Sequence, residues 1–501
     1  MDDEPGQEEL AGLLHADALE THMSVLFFYG DRVVKVRKAV DYGFADFRDA
    51  EERRADCWRE VQLNRRLSPD VYVGTAAVLV NGRTAEHAVV MRRLPAARNL
   101  AAMVGAGESV DAPLESVAQA LARFHRDAER SAAISGSATS DALWQRWQAT
   151  EEQLARFIGP TVDADDYRRL TVLARRYLRG RGPLLERRIA MGAVCDGHGD
   201  LQASDIFCMP DGPRLLDCLE FDEHLRHGDV LADAAFLVQD LERMGAAREA
   251  RLFIDAYRAS TDIEHPESLL HFYVAARAHV RLLVECLRLE QGLGALAHEP
   301  ALVLEQALSH LERAIPRLVL VGGLPGTGKS TLSSWAGEEL DATVLSSDHV
   351  RAADARGETR GERSPVPFAT GAYTFERRLS VYERLLAQAA ALLEAGRSVV
   401  LDATWTSAMF RARAAEVARS TSAELVELEC RCTTATRTAR LRGGGAPGRG
   451  ESEATPEVAE ALAAAADPWP SAHVVDTQGS LEETRKTVVE LLRAGIPATS
   501  N

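Results

Sequence analysis

Eight consecutive residues, 323–330, have the types and spacing of a loop that binds phosphate. Their sequence, GLPGTGKS, fits the pattern G-x-x-x-x-G-K-[ST] at every fixed position. An apolar run at 318–321 precedes the loop and a helix-forming stretch at 332–340 follows it, which is the strand–loop–helix context that such a loop needs. Glycines let backbone N–H groups turn inward around phosphate oxygens at a helix N-terminus, where anions are favoured. The motif therefore predicts that the chain binds a nucleoside triphosphate.

Two side chains of this loop carry its chemistry. Lys329 would reach the β- and γ-phosphates, and the Ser330 hydroxyl would be a ligand of Mg²⁺. ATP and Mg²⁺ are therefore the expected cofactors. The expected nucleotide-binding residues of the loop are Gly323, Gly326, Thr327, Gly328, Lys329, Ser330 and Thr331.

Lysine is rare in this chain, which draws attention to each lysine that is present. Arginine and lysine are not interchangeable, and a compact ammonium suits a phosphate contact. Lys329 occupies such a position, and no lysine lies in the N-K-x-D context of a GTPase guanine-binding motif. Of the 58 basic residues only four are lysines, namely Lys35, Lys38, Lys329 and Lys486.

Acidic residues at the ends of two later apolar stretches extend the candidate site. Asp348 follows a strand-like stretch at 343–345, and Asp402 ends the apolar run 399–401. Together with the loop, this order resembles the zeta-toxin and polynucleotide-kinase-like branch of phosphate-loop kinases. The resemblance implies that Asp348 is the base that activates the acceptor hydroxyl and that Asp402, as in a Walker B strand, positions Mg²⁺. An ordinary capping role at a strand end is the alternative for both residues.

Arginines surround a triple glycine at 443–445. This arrangement resembles the lid of nucleotide kinases, which closes over the triphosphate and neutralises charge in the transition state. The resemblance implies a catalytic role for Arg440 and Arg442, and a solvated helix face is the alternative. The arginines of this segment are Arg437, Arg440, Arg442 and Arg449.

A second constellation lies in the first half of the chain. The sequence HGDLQASD at 198–205 is followed, after a turn at 211–212, by an apolar stretch that ends in Asp217. This order resembles the catalytic loop and metal-binding aspartate of the aminoglycoside phosphotransferase family, which shares the protein-kinase fold. The resemblance implies that Asp200 is the catalytic base and Asp217 a Mg²⁺ ligand. Asp205, which stands where that family has asparagine, would be a further Mg²⁺ ligand.

Residues upstream extend the same resemblance. Lys35 ends a stretch similar to the strand that carries the phosphate-contacting lysine of the family, and Glu60 would be its helical ion-pair partner. Lys38 is the alternative to Lys35. The nucleotide-covering loop of the family is represented only by a tight turn at 30–31, so this second site is either active or degenerate.

Two acidic segments follow the catalytic-loop sequence. Glu220, Asp222 and Glu223 would suit a polycation such as an aminoglycoside, or they belong to the structure of the catalytic loop. Asp229 and Asp233 resemble the G-D-P-x-x-D-L-A segment of the same family, which is usually structural.

The composition restricts the class of partner. A net charge of −17 argues against nonspecific binding to nucleic acids or anionic membranes. No apolar run approaches the roughly 20 residues of a membrane span, and the acidic start of the sequence is unlike a signal peptide. The seven cysteines are scattered without C-x-x-C pairs, which indicates neither a disulfide framework nor a zinc ribbon. These features predict a cytoplasmic protein.

The secondary structure that must position these residues changes along the chain. Residues 1–20 suggest a short acidic helix or tail, and residues 23–94 are strand-rich, with a hairpin turn at 81–82. Helical periodicity dominates 99–315 and is interrupted only at 193–228. From Pro316 onward strands and helices alternate, which predicts a parallel sheet with helices on both faces.

The expected fold class is α/β multidomain, with a protein-kinase-like α+β bilobal domain followed by a P-loop α/β domain that has a parallel sheet. The expected boundaries are 1–22 for an acidic N-terminal segment, 23–98 for the kinase-like N-lobe, 99–315 for its helical C-lobe and 316–501 for the P-loop kinase domain.

These features together predict an ATP- and Mg²⁺-dependent phosphotransferase that phosphorylates a hydroxyl group of a small molecule. One alternative keeps the chemistry and changes the acceptor to the 5′-hydroxyl of a polynucleotide. Another is a nucleotide-gated regulatory ATPase that has no small-molecule acceptor.

Overall fold

The chain divides into two compact units. The computed structural model describes residues 17–21, 23–40, 46–292, 298–351, 375–442 and 455–493. Most of the expected N-terminal segment, the glycines at 443–445 and Arg449 lie outside these residues. The first unit comprises Met1–Leu143, Arg187–His265 and Ala276–Ala278, and the second comprises Trp144–Glu186, Pro266–Ala275 and His279–Asn501.

The first unit begins with a five-stranded antiparallel sheet in the order β1-β2-β3-β5-β4. Its strands are β1 Asp17–Glu20, β2 Ser24–Tyr29, β3 Arg32–Arg37, β4 Tyr72–Val80 and β5 Arg83–Arg92. The expected hairpin turn is confirmed, because Asn81 and Gly82 both have the positive φ angles, 51° and 77°, of a two-residue turn. The expectation of a helix or tail is wrong for β1, whose backbone pairs along the whole of its length with β2.

A single helix, α1 (Ala50–Asn64), packs against this sheet. Asp49 caps its N-terminus by accepting hydrogen bonds from the backbone N–H groups of Glu51 and Glu52. Cys57 and Val61 on the inner face of the helix belong to the same buried cluster as residues of β3 and β5. This packing fixes the helix against the strand that carries Lys35.

The middle of the chain is helical and is interrupted at 193–228, as the periodicity predicts. Two short antiparallel pairs, β6 with β9 and β7 with β8, lie in the interruption. The helices are α2 Leu100–Gly105, α3 Asp111–Asp127, α4 Ala132–Gly136, α5 Ser140–Leu154, α6 Ala164–Gly180, α7 Gly182–Ala190, α8 Glu223–Arg226, α9 Val230–Arg243, α10 Ala247–Ala259, α11 Glu267–Glu290 and α12 Glu299–Ala314. The strands are β6 Val194–Asp196, β7 Ile206–Met209, β8 Gly212–Leu215 and β9 His227–Asp229.

The second unit contains a five-stranded sheet in the order β11-β12-β10-β13-β14, and every strand pair in it is parallel. The predicted parallel sheet is therefore confirmed, although β14 at its edge was not expected from the sequence. Its strands are β10 Arg317–Gly322, β11 Thr343–Ser346, β12 Val399–Asp402, β13 Glu424–Arg431 and β14 His473–Asp476. Its helices are α13 Lys329–Leu340, α14 Phe375–Glu394, α15 Ala408–Ser420, α16 Thr434–Arg442, α17 Pro456–Ala464 and α18 Leu481–Arg493.

Helices cover both faces of this sheet, as the alternation of elements predicts. Leu318 and Leu320 of β10 belong to one buried cluster, which includes residues of α14 and α15. Val319 and Val321 belong to another, which includes residues of α13 and α18. Successive side chains of a strand point to opposite faces, so the central strand contributes to two separate cores.

Part of the helical region packs with the parallel sheet. The guanidinium of Arg176 on α6 donates hydrogen bonds to the carbonyl oxygens of Ser422 (3.1 Å) and Ala423 (2.8 Å), in the loop before β13. At Gly180 the approach leaves no room for a side chain, because a Cβ atom there would lie 2.3 Å from the carbonyl oxygen of Thr421. Helix α6 therefore belongs to the same compact unit as the sheet, while the domain boundaries expected from the sequence stay a prediction.

Candidate functional site

The carboxyl edge of the parallel sheet brings the candidate residues of the second unit together. Strand β12 lies between β10 and β11, and Asp402 at its end pairs in register with Val321 of β10 and with Ser346 of β11. The phosphate-binding loop leaves β10 just beyond Val321, and Asp348 lies just beyond Ser346. Ligands of open α/β sheets bind at this edge, so the register alone assembles a candidate site.

Glycines give the phosphate-binding loop its shape. Gly323, Gly326 and Gly328 have φ angles of 134°, 83° and 97°, in the region that residues with a Cβ rarely adopt. A Cβ at Gly323 would also lie 2.6 Å from the carbonyl oxygen of Cys430. Gly328 is the N-cap of α13, so the unpaired N–H groups of the first turn of this helix are available to phosphate oxygens.

The remaining loop residues follow the same helix start. Lys329, Ser330 and Thr331 form the first turn of α13. The Lys329 ammonium donates a hydrogen bond to the carbonyl oxygen of Leu324 (3.1 Å), which folds its side chain back over the loop. The Thr327 hydroxyl donates to the same carbonyl oxygen (2.8 Å). The lysine is therefore held at the mouth of the loop, where it can reach a bound phosphate.

Asp402 is the buried anion of this site. Burial raises the pKa of its carboxyl group, while the Lys329 ammonium and a hydrogen bond from the Ser330 hydroxyl oppose the rise, and the charge of Asp348 adds to it. Lys329, Ser330 and Asp348 therefore all lie close enough to Asp402 to affect the pKa of its carboxyl group.

The oxygens of Ser330 and Asp402 suit Mg²⁺, which is usually bound by one or two carboxylates together with substrate phosphates and water. The residues present therefore fit the expected metal. Among the residues that the structure describes, no group of three or more His, Cys, Asp and Glu side chains is arranged to hold a metal by itself.

Asp348 is accessible to an acceptor. It lies in a helical turn that starts at Ser347, directly after β11, and its side chain is 48% exposed. The Arg351 guanidinium lies 2.9 Å from its carboxylate. A carboxylate that is partly exposed and held by one arginine can accept a proton from a hydroxyl that is bound beside it.

Arg440 and Arg442 occupy different surroundings on α16. The Arg440 guanidinium donates to the carbonyl oxygen of Thr477 (2.6 Å), and the Thr477 hydroxyl donates to the carbonyl oxygen of Thr327 (2.7 Å). Arg442, at the end of α16, is exposed and lowers the pKa of Glu457, although less than the hydrogen bond that Glu457 makes with Thr455. Arg440 is therefore linked to the phosphate-binding loop through Thr477, whereas no contact links Arg442 to it among the described residues.

Thr477 is a residue that the sequence did not indicate. It follows β14, and its backbone N–H pairs with the carbonyl oxygen of Arg431 on β13 (2.9 Å). The contacts of Thr477 join β13 and the end of β14 to the phosphate-binding loop at the centre of the sheet. The only signal in the sequence is the apolar pair at 474–475 before Asp476, which is too short to be distinguished from a loop.

The first unit contains the ion pair expected from the kinase resemblance. The Lys35 ammonium lies 2.9 Å from the Glu60 carboxylate and 2.5 Å from that of Asp217. Burial lowers the pKa of Lys35, but the charges of Asp217 and Glu60 outweigh this effect and hold it well above its usual value. Lys38 instead pairs with Glu20 (2.6 Å), so the structure brings Lys35 and not Lys38 to the candidate site.

Asp200 and Asp205 lie close to Asp217. Burial and the charges of Asp217 and Asp200 raise the pKa of Asp205 well above its usual value. Asp200 accepts a hydrogen bond from the Gln202 amide (2.9 Å) and lies 3.3 Å from the Arg277 guanidinium. Carboxylate oxygens are ligands that Mg²⁺ prefers, although these three groups are not arranged to hold a metal ion by themselves. Asp205 in place of asparagine thus adds a carboxyl group whose charged form is disfavoured by burial and by the neighbouring carboxylates.

Asp233 holds the backbone at the start of the loop at 198–205. It accepts hydrogen bonds from the backbone N–H groups of His198 (2.5 Å) and Gly199 (2.9 Å), and its carboxylate lies 3.1 Å from the His125 ring. Burial raises the pKa of Asp233, but these hydrogen bonds outweigh it and lower the pKa to about 2. The structural role implied by the resemblance therefore has a physical basis.

A buried ionic cluster behind Lys35 was not anticipated. Arg37 lies 2.7 Å from Asp56 and 3.4 Å from Glu60, and it also contacts Glu220. The suggestion that Glu220 serves a polycationic substrate is wrong, because this carboxylate is buried and paired with Arg37. The alternation of side chains along β3 places Lys35 and Arg37 on one face, and this signal could have revealed Arg37.

The two sites define the class of protein. A phosphate-binding loop at the centre of a parallel sheet, with an aspartate at the end of the neighbouring strand, is the arrangement of a P-loop kinase domain. An antiparallel sheet, a helix whose glutamate pairs with a strand lysine, and a helical region with a catalytic loop form a protein-kinase-like arrangement. The chain thus combines two domains of kinase type.

Comparisons with known proteins identify the family of the chain. The pattern of a family described as an AAA domain matches residues 318–469. The chain is 39% identical over 483 residues to the uncharacterized protein Rv2004c of Mycobacterium tuberculosis, and the match covers 96% of each chain. The uncharacterized protein Mb2027c of Mycobacterium bovis matches to the same extent. The chain therefore belongs to the family of these mycobacterial proteins.

Solved structures similar to parts of the chain include two kinases. The APS kinase CysC of Mycobacterium tuberculosis, in complex with AMPPNP and APS, is 20% identical, with a TM-score of 0.28, and the match covers 36% of this chain and 98% of that one. A choline/ethanolamine kinase family protein from Mesorhizobium loti is 13% identical, with a TM-score of 0.37, and the match covers 59% of this chain and 92% of that one.

Within the described part of the chain, no helix has both the length and the apolar character that a membrane span needs.

We predict that Asp233→Asn destabilises the first unit. The carboxylate is ionised in the folded state down to about pH 2, so it contributes stability that is fully present above its usual pKa of 3.8 and is lost as the pH falls towards 2. The variant should lose about 2 kcal/mol of unfolding free energy at pH 7 and show a flatter acid dependence. Urea unfolding between pH 7 and pH 2 measures both effects, with the exposed Asp262→Asn as control. Equal stability of the two variants would contradict this role.

We also predict that Thr477→Val weakens ATP binding by about three- to tenfold, the effect of one lost hydrogen bond. The substitution keeps the branched shape but removes the hydroxyl that supports the loop at Thr327. Titration calorimetry with a non-hydrolysable ATP analogue and Mg²⁺ measures the change. Thr487→Val, which removes an exposed hydroxyl on α18, should bind like wild type; the prediction fails if the two variants bind equally well.

Proposed function

We propose that the second unit transfers the γ-phosphoryl group of ATP, bound with Mg²⁺, to a hydroxyl group of a small molecule. The observation that carries this proposal is the meeting of Lys329, Ser330, Asp348 and Asp402 at one edge of the parallel sheet. Phosphoryl transfer needs positioning, neutralisation of charge and a group that accepts the proton of the acceptor. Each of these tasks has a residue here.

The roles follow from the surroundings of each side chain. The N–H groups of the loop and the Lys329 ammonium hold the β- and γ-phosphates. Ser330 and Asp402 would hold Mg²⁺, which when bound neutralises phosphate charge. Asp348 takes the proton of the acceptor hydroxyl. At the same time the oxygen of that hydroxyl bonds to the γ-phosphorus, and the bond from the γ-phosphorus to the bridging oxygen of ADP breaks. Arg440, positioned through Thr477, adds positive charge beside the triphosphate.

For the first unit we propose a secondary role. Its Lys35–Glu60 pair and its three carboxylates could still hold a nucleotide with Mg²⁺. However, β2 and β3 pair as far as Tyr29 and Arg32, so that only Gly30 and Asp31 join them and no covering loop is present. This unit either phosphorylates a second hydroxyl or holds the substrate of the reaction that we propose for the second unit.

The seven cysteines, all free thiols, support the proposal that the protein acts in the cytoplasm.

The proposal is tested by incubating the full chain with ATP, Mg²⁺ and a pool of hydroxylated metabolites, and by searching for phosphorylated products by mass spectrometry. We expect wild type to form a phosphorylated small molecule. Asp348→Asn should slow this transfer by about 10²- to 10⁴-fold, because it removes the proton acceptor. Affinity for the ATP analogue should stay within about threefold, since Asp348 acts on the acceptor. Asp341→Asn, an exposed change in the same unit, is the control.

Two outcomes would contradict the proposal. If ATP is hydrolysed slowly and no product forms from any acceptor, the chain is a nucleotide-gated regulator. If a 5′-hydroxyl oligonucleotide is phosphorylated in preference to every small molecule, and its binding weakens steeply with salt, the acceptor is a polynucleotide. The net charge of −17 counts against the second outcome.

A further inference from the structure

A pocket that is partly open to solvent lies beside the phosphate-binding loop of the second unit. Its volume is about 270 Å³, close to the lower end of the range for small-molecule sites, about 300 Å³. One wall consists of Gly323 and Leu324 at the start of the loop, and another is the segment 404–406, which continues from Asp402. Trp469 and Arg437 complete it from the far side. The pocket therefore includes Gly323 and Thr327 of the phosphate-binding loop, whereas Lys329, Ser330, Asp348 and Asp402 lie outside its lining.

Arg437 is the unusual member of this wall. It lies on α16, and only 7% of its surface is exposed. Its guanidinium makes no hydrogen bond or ion pair with any residue that the structure describes. A cation that lines a pocket and has no partner among the described residues attracts an anionic ligand. The position of Arg437 on the pocket wall makes an anion in the pocket the natural partner.

The other charged groups around the pocket do not supply that partner. Glu429 lies 2.7 Å from Arg431 and is already paired. The Asp467 carboxylate accepts a hydrogen bond from the backbone N–H of Ala408 (2.8 Å) at the start of α15. Arg411 donates to two backbone carbonyl oxygens. The lining thus contains three arginines, Arg411, Arg431 and Arg437, and two carboxylates, Glu429 and Asp467. Its net charge is therefore positive.

A second buried donor faces the same space. Trp469 is 8% exposed, and its indole N–H has no hydrogen-bond partner among the residues that the structure describes. The guanidinium of Arg411 lies over its ring, 5.1 Å from the centroid, and fixes the orientation of the indole. An oxyanion could accept hydrogen bonds from both the Arg437 guanidinium and the Trp469 N–H, while the face of the indole contacts carbon atoms of the same ligand.

We propose that this pocket holds the acceptor, and that the acceptor is a small hydroxylated molecule with an oxyanion group that pairs with Arg437. The group is a phosphate, a sulfate or a carboxylate, which share this chemistry. The inference rests on the proposed phosphotransfer at Asp348 and names the class of its substrate. The oxyanion anchors the molecule in the pocket, and a hydroxyl elsewhere on it reaches Asp348.

The test uses the full chain saturated with the ATP analogue AMPPNP and Mg²⁺, so that the phosphate-binding loop is occupied. Sulfate, inorganic phosphate and acetate are titrated separately at constant ionic strength, and binding is followed by the melting temperature and by tryptophan fluorescence. At least one of these anions should stabilise wild type, and the preferred one identifies the kind of oxyanion. Arg437→Gln should weaken that binding by about thirtyfold or more, because it removes one partner of a buried charged pair.

Two variants serve as controls. Arg413→Gln removes an exposed arginine that pairs with Glu383 on α14 and should bind anions like wild type. Arg437→Lys keeps the charge and should retain more anion binding than Arg437→Gln, which separates loss of charge from loss of fold. Without anions, Arg437→Gln should melt no lower than wild type, since the side chain makes no hydrogen bond or ion pair with the described residues that the substitution could remove.

Two results would overturn the inference. In the first, none of the three anions binds to the AMPPNP-loaded protein. In the second, Arg437→Gln weakens AMPPNP binding as much as anion binding, which would assign the arginine to the triphosphate. Failure of wild type to bind AMPPNP at all would instead refute the proposed function, so the two failures can be distinguished.

Discussion

The buried carboxylate of Asp402 constrains the whole carboxyl edge of the parallel sheet. A carboxylate that is 6% exposed needs positive charge and hydrogen-bond donors nearby, and Lys329 and Ser330 supply them. These two residues can do so only because β12 lies directly beside β10, so that the first turn of α13 begins above the end of β12. The order of the strands, the bend of the loop and the position of the lysine are therefore parts of one arrangement. A nucleotide with Mg²⁺ would enter a site in which Lys329 and Ser330 only partly offset the burial of Asp402.

In the first unit, different elements place positive charge beside carboxylates. Lys35 balances Glu60 and Asp217 there, and Arg37 balances the carboxylates behind them. In a chain with four lysines, one lysine lies at the centre of each candidate site. The difference is in the backbone around them. The loop of the second unit could surround a bound phosphate with N–H groups, whereas the turn at 30–31 in the first unit is too short to do so. This difference favours our proposal that the second unit is the catalytic one.

Much of this arrangement could be predicted from the sequence, because it follows from local patterns. The loop at 323–330, the alternation of strands and helices after Pro316 and the order Lys35, Glu60, Asp200, Asp217 are all visible without a structure. Residues whose role depends on distant neighbours were not predictable in the same way. Asp17–Glu20 is a strand because β2 offers an edge, and β14 is a strand because β13 does. The burial of Arg437 results from segments that are far apart in the sequence, and nothing near it indicates that its charge is unpaired.

We propose that the second unit is the principal nucleotide site of the protein. Titration calorimetry of the full chain with AMPPNP and Mg²⁺, on wild type, Lys329→Ala and Lys35→Ala, tests it most directly. If wild type binds AMPPNP at more than one site, the tightest binding should belong to the second unit. Lys329→Ala should abolish this tight binding, because it removes the ammonium that faces the phosphates, and Lys35→Ala should leave it unchanged. The opposite pattern, with tight binding lost in Lys35→Ala and retained in Lys329→Ala, would contradict the account and move the principal site to the protein-kinase-like unit.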